Sequence, residues 1–174
     1  MSDEHAFVEQ VRRDPHDDMP RLIYADYLEE AGDTQGELIR VQVELARTPI
    51  GDPRRLVLAE REGQLLAEHG EVWLGGLRKL GAEGVNVRCF QRGLIERVTI
   101  DAGKFLATGA QLCHIAPALY CLELRDAVAN VEQLADFAMP AQITALDLAS
   151  KRFRAEQLTA LSQAPWLRQI TQLN

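Results

Sequence analysis

A six-residue phrase recurs in the second half of the chain and constrains the fold more than any other feature. Each copy has an aliphatic residue, two variable residues, a second aliphatic residue, one variable residue and a third aliphatic residue. The copies begin at Ile95, Leu119, Ile143 and Ile170, and the last is cut short at Asn174. The spacings between copies are therefore 24, 24 and 27 residues. A period of this kind predicts a stack of similar supersecondary units.

Each of the first three copies is followed by a stretch with helical spacing (residues 105–113, 131–138 and 153–164). A proline then closes each stretch, at Pro117, Pro140 and Pro165. Units of strand, turn, helix and proline-bearing loop give strands that run parallel. The period lies within the range of about 20–29 residues typical of leucine-rich repeats. We therefore predict that residues 85–174 form a short leucine-rich-repeat-like parallel β/α solenoid.

The phrase departs from the usual leucine-rich consensus at one position. That consensus continues to an asparagine three residues after its last aliphatic position, and the asparagines form a ladder that bonds the turn backbone. The corresponding positions here hold Gly103, Ala127 and Lys151. We therefore expect no asparagine ladder and an irregular curvature.

The first half of the chain shows helical spacing instead. It predicts helices over residues 3–13, 19–31, 36–47 and 53–68, with Leu56 and Leu65 of the last helix facing inward. These helices predict an N-terminal domain, residues 1–80, that caps the solenoid in a mixed α+β fold. Val85, Val87 and Cys89 alternate with polar residues and predict a strand. A hairpin from this strand into residues 94–100 would cover one edge of the sheet.

Charge and hydropathy restrict the partners. The net charge is −7, and residues 1–50 account for all of it, with 12 acids against 5 bases. A surface of this sign argues against nucleic acid as a partner, because phosphate contacts need clustered Lys and Arg. The chain has neither an apolar run of about 20 residues nor a signal-peptide pattern at its start, so we expect no membrane contact and a cytoplasmic location.

Neither a metal site nor a cofactor site is predicted. The cysteines, Cys89, Cys113 and Cys121, lie among aliphatic residues without metal spacing, which predicts small buried thiols. The acids near the N-terminus match no calcium-binding loop, and no two histidines stand four residues apart. No glycine-rich phosphate loop is present.

About the first 48 residues resemble a known domain. The segments RLIYADYLEE (21–30), GD (32–33) and GELIRVQ (36–42) are similar to the small repeat-companion domain of planctomycete and myxobacterial proteins. Tyr27 stands where that family usually has tryptophan. The resemblance covers about a quarter of the chain. It implies a helical domain that often accompanies leucine-rich repeats, and it implies no biochemical activity.

Four polar residues within this segment, Arg21, Asp26, Glu37 and Arg40, admit two interpretations. They form an ion-pair and hydrogen-bond network between two helices, or Asp26, Glu37 and Arg40 belong to a small hydrolase or ligand-binding site. An enzyme predicts that these groups line an open pocket. A structural network predicts that they pair with each other away from water.

The variable residues of the repeated phrase are the better functional candidates. They are expected to point outward from the sheet, with lateral rows Thr99–Glu123–Asp147 and Arg97–Cys121–Ala145. Solenoids use such faces to recognise proteins. We therefore predict a non-enzymatic protein–protein interaction module or adaptor, against the alternative of a solvated face without a partner. The predicted binding residues are Arg97, Thr99, Tyr120, Cys121, Glu123, Thr144 and Asp147.

The incomplete last copy leaves two further alternatives. It indicates either a longer repeat protein or self-association through the open C-terminal repeat edge.

Overall fold

The computed structural model describes residues 3–14, 17–148 and 152–174. The chain divides into two compact units. The helical unit comprises the residues up to Gly75 together with Asn86–Ile95, and the sheet unit comprises Gly76–Val85 and Glu96–Asn174. The domain division at residues 1–80 and 85–174 stays a prediction.

Seven α-helices and a mostly parallel five-stranded sheet lie within the described ranges, so the α+β class is confirmed. The helices are α1 (Asp3–Arg13), α2 (Met19–Glu30), α3 (Gln35–Arg47), α4 (Arg54–Lys79), α5 (Ala102–Ile115), α6 (Val131–Asp136) and α7 (Ala155–Ser162). The strands are β1 (Ala82–Glu83), β2 (Phe90–Gln91), β3 (Leu94–Ile95), β4 (Arg97–Asp101), β5 (Cys121–Arg125), β6 (Ala145–Asp147) and β7 (Gln172–Leu173). None of the described helices is both long and apolar enough to cross a lipid bilayer.

Helix α2 is closely crossed by α3 in the helical unit. Gly36 allows this approach, because a Cβ there would lie 2.6 Å from the carbonyl oxygen of Ala25. Both helices carry buried residues: Tyr24, Ala25 and Leu28 on α2, and Leu38, Ile39, Val41 and Val43 on α3. The close crossing thus depends on the smallest side chain.

The prediction that the fourth helix ends near residue 68 is wrong, because α4 continues to Lys79. Its interior Gly70 is buried, and a Cβ there would lie 2.9 Å from a methyl carbon of Val87. Tight packing therefore outweighs the helix penalty of glycine, which is about 1 kcal/mol.

The prediction that Leu56 faces inward is also wrong, since it is 78% exposed. The neighbouring Arg55 turns toward α3 instead and donates to the carbonyls of Leu45 and Thr48, at 2.6 Å each. Leu56 lies about 100° further round the helix.

The hairpin of β2 and β3 is held by α3. Its two-residue turn, Arg92–Gly93, has positive φ values of 48° and 83°. The amide of Gly93 donates to Gln42 Oε1 at 2.6 Å, and Gln35 Nε2 donates to the carbonyl of Gly93 at 3.0 Å. A Cβ on Gly93 would lie only 2.4 Å from the Cα of Ile39. Glycine is therefore required by both the turn and the packing.

The strand predicted from Val85, Val87 and Cys89 is wrong. Residues Val87–Cys89 form a short 3₁₀ turn. The edge of β4 is covered by β1, which pairs antiparallel with it. Gly81 and Gly84, with φ of 85° and 63°, turn the chain on either side of β1 and leave it only two residues long. An alternating pattern over so few residues does not distinguish a strand from a tight turn.

The sheet unit follows the predicted order of strand, helix, proline and strand. The strand order is β1-β4-β5-β6-β7, and β4 to β7 are mutually parallel, which confirms the parallel prediction. The inner aliphatic residues of the first three copies are buried: Val98, Ile100, Leu119, Leu122, Leu124, Ile143, Leu146 and Leu148.

Successive copies are joined by the same backbone contact. At the start of each strand from β5 to β7, two consecutive amides donate to one carbonyl of the preceding copy. The contacts are Tyr120 and Cys121 to Glu96 (3.1 Å each), Thr144 and Ala145 to Tyr120 (3.0 Å each), and Thr171 and Gln172 to Thr144 (2.7 and 3.3 Å). The three acceptors are spaced 24 residues apart, as the phrase is. We call this set the shared-carbonyl ladder.

Two glutamines join the loops that precede the strands. Gln142 and Gln169 each lie one residue before a copy of the phrase, and each donates to two carbonyls of the preceding loop. The acceptors are Ala116 (3.5 Å) and Leu119 (3.0 Å) for Gln142, and Pro140 (3.0 Å) and Ile143 (3.1 Å) for Gln169. These glutamines bond loop backbone as asparagines would in the usual repeat. Lys151, one of the three residues at the asparagine positions of the leucine-rich consensus, lies outside the described residues.

We predict that Gly93→Ala lowers the free energy of unfolding of the helical unit by about 2–5 kcal/mol, because left-handed strain and overpacking combine. Gly51→Ala is the control, since Gly51 has φ of 98° but no atom within 4 Å of a Cβ. This variant should lower the free energy of unfolding only by the backbone strain, about 1–2 kcal/mol. Urea unfolding followed by Trp73 fluorescence in a Trp166→Phe background measures both. Equal costs would contradict the packing argument.

We predict that Gln142→Ala and Gln169→Ala each destabilise the sheet unit by about 1–2 kcal/mol, because two loop carbonyls lose their donor. Trp166 fluorescence during urea unfolding, in a Trp73→Phe background, reports the change. Gln133→Ala removes an exposed glutamine of α6 and should change the value by less than about 0.5 kcal/mol. The loop argument fails if all three variants behave alike.

Candidate protein-binding face

The register brings the predicted rows together on one face of the sheet. Thr99 is opposite Glu123, which is opposite Asp147, as predicted. Arg97 is opposite Cys121, which is opposite Ala145, also as predicted. We call this face the sheet strip; its members are Arg97, Thr99, Tyr120, Cys121, Glu123, Thr144 and Asp147. Their binding role stays a prediction.

Exposure differs along the strip. Arg97 is exposed, whereas Thr99, Tyr120, Glu123, Thr144 and Asp147 are half-buried. The expectation that Cys121 points outward to solvent is wrong, because it is only 3% exposed. Ala145, beside it in the same row, is also 3% exposed. Both are short side chains whose neighbours on the strip are longer, and the accessible part of the strip therefore consists of those longer side chains.

The expectation that Glu96 points outward is also wrong, since it is 6% exposed. Glu96 lies at the break between β3 and β4, where its carbonyl is the first acceptor of the shared-carbonyl ladder. The alternation of a regular strand does not extend to a residue at such a break.

The charges on the strip are partly fixed by neighbours. Thr99 Oγ1 donates to Glu123 Oε2 at 3.0 Å. Glu83 of β1 lies opposite Thr99 and pairs with Arg125 at 2.8 Å. Glu123 and Asp147 are direct neighbours on adjacent strands, an arrangement of like charges that costs stability. The strip therefore presents a cation at Arg97 and two adjacent carboxylates one row further along.

Burial raises the pKa of the Cys121 thiol. Arg97 opposes this effect, and the carboxylates of Asp147 and Glu123 add to it. The thiolate is the reactive form of cysteine, so a thiol with a raised pKa is a poor nucleophile at neutral pH. Cys121 is therefore suited to a structural role among the longer side chains of the strip.

We predict that Cys121 is alkylated by iodoacetamide at least about tenfold more slowly in the folded protein than in urea, because burial and a raised pKa both limit the thiolate. A Cys89→Ser/Cys113→Ala background isolates the residue. Adding Asp147→Asn should lower the pKa of Cys121 and shift the pH–rate curve to lower pH. Mass spectrometry follows the reaction, and equal rates in folded and unfolded protein would contradict the assignment.

The four polar residues of the helical unit do not form one network. Arg40 pairs with Asp26 and also donates from Nε to Glu29 at 2.9 Å. Glu37 instead accepts two bonds from Arg61 of α4, at 2.6 and 2.7 Å. The structure thus brings Asp26 and Arg40 together and places Glu37 in a separate pair.

Arg21 differs from the residues of these pairs because its side chain is buried. It is 1% exposed, and its Nη1 donates to the carbonyl of Asp17 at 3.1 Å. The pairs of Arg40 and Glu37, in contrast, lie at the surface, since the side chains of Asp26, Arg40 and Glu37 are 60%, 39% and 40% exposed. The expectation of a network away from water is therefore wrong for these three. Hydrogen bonds from Arg61 hold the pKa of Glu37 below its usual value.

Asp18 is a structural residue that sequence reasoning missed. It occupies the N-cap position of α2, but its side chain makes no capping bond. It is 9% exposed and pairs with Arg47 at 2.7 Å and Arg92 at 3.2 Å. These arginines lie 29 and 74 residues after Asp18 in the sequence, so no pattern of neighbouring residues predicts the pairing.

One surface depression of about 220 Å³ lies in the sheet unit. It is lined by Val128, Ala129, Asn130, Val131, Glu132, Gln133 and Gln157. Glu132 is the single titratable residue among them, which leaves no acid–base pair there. Across residues 3–14, 17–148 and 152–174, no group of three or more His, Cys, Asp or Glu side chains could hold a metal ion.

The chain matches no protein-family model, no curated protein and no solved structure. The resemblance to the repeat-companion domain therefore stays a prediction.

Proposed function

We propose that this protein is a non-enzymatic adaptor that binds a protein partner through the sheet strip. In this proposal the sheet unit is a short leucine-rich-repeat-like solenoid and the N-terminal helices are a repeat-companion domain. The protein acts in the cytoplasm, and neither nucleic acid nor a membrane is its partner.

One observation carries the proposal: the register lines up the variable residues of successive copies in rows. Thr99, Glu123 and Asp147 come from three different copies and form one row. Repetition of a unit thereby converts a sequence pattern into a contiguous surface, which is how solenoids recognise proteins. The shared-carbonyl ladder and the two loop glutamines support the repeat interpretation, because both recur from copy to copy.

The polar chemistry of the strip favours a protein ligand. Arg97, Glu123 and Asp147 offer both signs of charge, and Tyr120 and Thr144 add hydroxyl groups. Mixed charges of this kind give specificity through electrostatic complementarity. The carboxylates and the overall charge of −7 disfavour the phosphate backbone of a nucleic acid.

The polar pairs of the helical unit support a non-enzymatic role. A general acid or base works best with a pKa near the operating pH. Glu37 has a lowered pKa and both its oxygens bound by Arg61, so it is ionised at neutral pH and already bonded. Asp26 is likewise paired, with Arg40. Stabilisation of the helix packing accounts for these contacts.

We predict that reversing charge on the strip weakens partner binding. The wild-type chain and a Glu123→Arg/Asp147→Arg variant are used to capture proteins from a native lysate, and a captured partner is then purified and titrated against both. We expect the variant to bind at least about tenfold more weakly, since like-charge contacts cost several kcal/mol.

A matched control is Glu132→Arg/Glu156→Arg, which makes the same charge change at exposed helical positions of the sheet unit. It should bind as the wild type does, and circular dichroism should show both variants folded. Equal binding by the strip variant and the wild type would exclude the strip as the working surface. Equal loss in both variants would show that net charge alone is responsible.

A further inference from the structure

Two charged residues of the sheet strip, Arg97 and Glu123, form no ion pair with any residue that the structure describes. Arg97 is exposed and Glu123 is half-buried. Arg97 lies opposite Cys121, and Glu123 follows Cys121 by two residues, so Arg97 and Glu123 are diagonal neighbours on one face. Because residues in this relation lie about 7–8 Å apart, the strip presents a cation and an anion at a fixed spacing.

The carboxylate of Glu123 is held from one side only. Thr99 Oγ1 donates to Glu123 Oε2 at 3.0 Å, and Oε1 accepts no hydrogen bond from the described residues. Asp147, directly opposite on β6, places a second carboxylate beside it. An ionised carboxylate accepts hydrogen bonds at both oxygens. Glu123 is therefore oriented by Thr99 and retains an oxygen for a further donor.

The same row contains a carboxylate that an arginine already neutralises. Glu83 of β1 lies opposite Thr99, and it pairs with Arg125 at 2.8 Å. Arg125 follows Glu123 by two residues on β5 and is the nearest cation to it in sequence, yet it pairs with Glu83. The row thus carries three carboxylates against this one arginine. Its surplus negative charge is complementary to a cation from another molecule.

We propose that the partner bound by the sheet strip contributes an extended segment with an arginine and an acidic residue two positions apart. This inference rests on the proposed function and makes its partner specific. The arginine binds Glu123, and the acidic residue binds Arg97. Residues two apart in an extended segment lie on the same side, about 6.4–6.8 Å from each other. That distance is close to the spacing of diagonal neighbours on a sheet.

Arginine fits the position at Glu123 better than lysine does. Its planar guanidinium has five N–H donors and binds carboxylates through two parallel bonds, whereas the lysine ammonium acts as a point charge. Glu123 and Asp147 lie on adjacent strands, which are about 4.8 Å apart. One guanidinium can therefore contact both carboxylates at once.

Two blocked peptides of identical composition test the spacing. Thr-Arg-Thr-Glu-Thr places its charges on one side of an extended chain, whereas Thr-Thr-Arg-Glu-Thr places them on opposite sides. NMR titration of the isotope-labelled wild-type chain should shift the amides of Arg97, Thr99 and Glu123. The first peptide should bind about three- to fivefold more tightly, because it makes one more exposed ion pair. Equal affinities, or no binding at about 10 mM peptide, overturn the proposal.

Charge exchange identifies which residue binds which charge. Glu123→Arg should bind Thr-Glu-Thr-Glu-Thr more tightly than Thr-Arg-Thr-Glu-Thr, and Arg97→Glu should prefer Thr-Arg-Thr-Arg-Thr. Each preference should be about tenfold, because an attraction replaces a repulsion. Glu156→Arg, at an exposed position of α7, is the matched control and should keep the wild-type preference. A strip variant that keeps the wild-type preference while circular dichroism shows it folded overturns the proposal.

The outcome is separable from that of the adaptor test. If the peptides bind alike but a captured partner still binds Glu123→Arg/Asp147→Arg more weakly, the strip is the binding surface and the proposed charge spacing is wrong. If the partner binds both chains equally, the adaptor function itself fails. A wild-type preference for Thr-Arg-Thr-Arg-Thr would mean that the carboxylates alone select the partner, which overturns the role of Arg97. The wild-type comparison of peptides needs no variant, so a variant that unfolds leaves the test intact.

Discussion

The sheet unit depends on one backbone interaction, the shared-carbonyl ladder. Three carbonyls, those of Glu96, Tyr120 and Thr144, each accept two amides from the start of the next copy. This contact sets where each strand begins relative to its neighbour. Since a shift of one residue would turn every side chain to the opposite face, the ladder decides which residues are buried and which form the sheet strip. The candidate binding surface is therefore a consequence of register.

In the helical unit, long-range polar contacts fix the hairpin of β2 and β3. Gln42 and Gln35 bind the amide and carbonyl of Gly93, and Asp18 pairs with Arg92. These contacts position a turn that is distant in sequence from the residues that hold it. Surface pairs such as that of Arg40 and Asp26 add little stability by comparison.

Periodic features were predictable from sequence, and contacts between distant residues were not. The period of 24 residues predicted the parallel strands and the rows of Thr99 and Arg97, because equal spacing implies equal register. The length of α4 was not predicted because a glycine such as Gly70 is typical of a helix end. Here Gly70 lies inside the helix because Val87 packs against it. The burial of Cys121 was predicted from its aliphatic neighbours, but its outward position was wrong because alternation gives the face of a side chain and not the reach of its neighbours. The two residues of β1 are too few for any periodic signal.

Amide hydrogen exchange measured by NMR on dilute protein tests the ladder most directly. The amides of Cys121 and Ala145 should exchange only through unfolding of the sheet unit, because each is bonded to a shared carbonyl. The amide of Leu173, which by strand alternation points away from β6, should exchange orders of magnitude faster than these two. Exchange of Cys121 and Ala145 as fast as that of Leu173 would mean that the ladder does not hold the copies together. The register, and with it the sheet strip, would then be wrong.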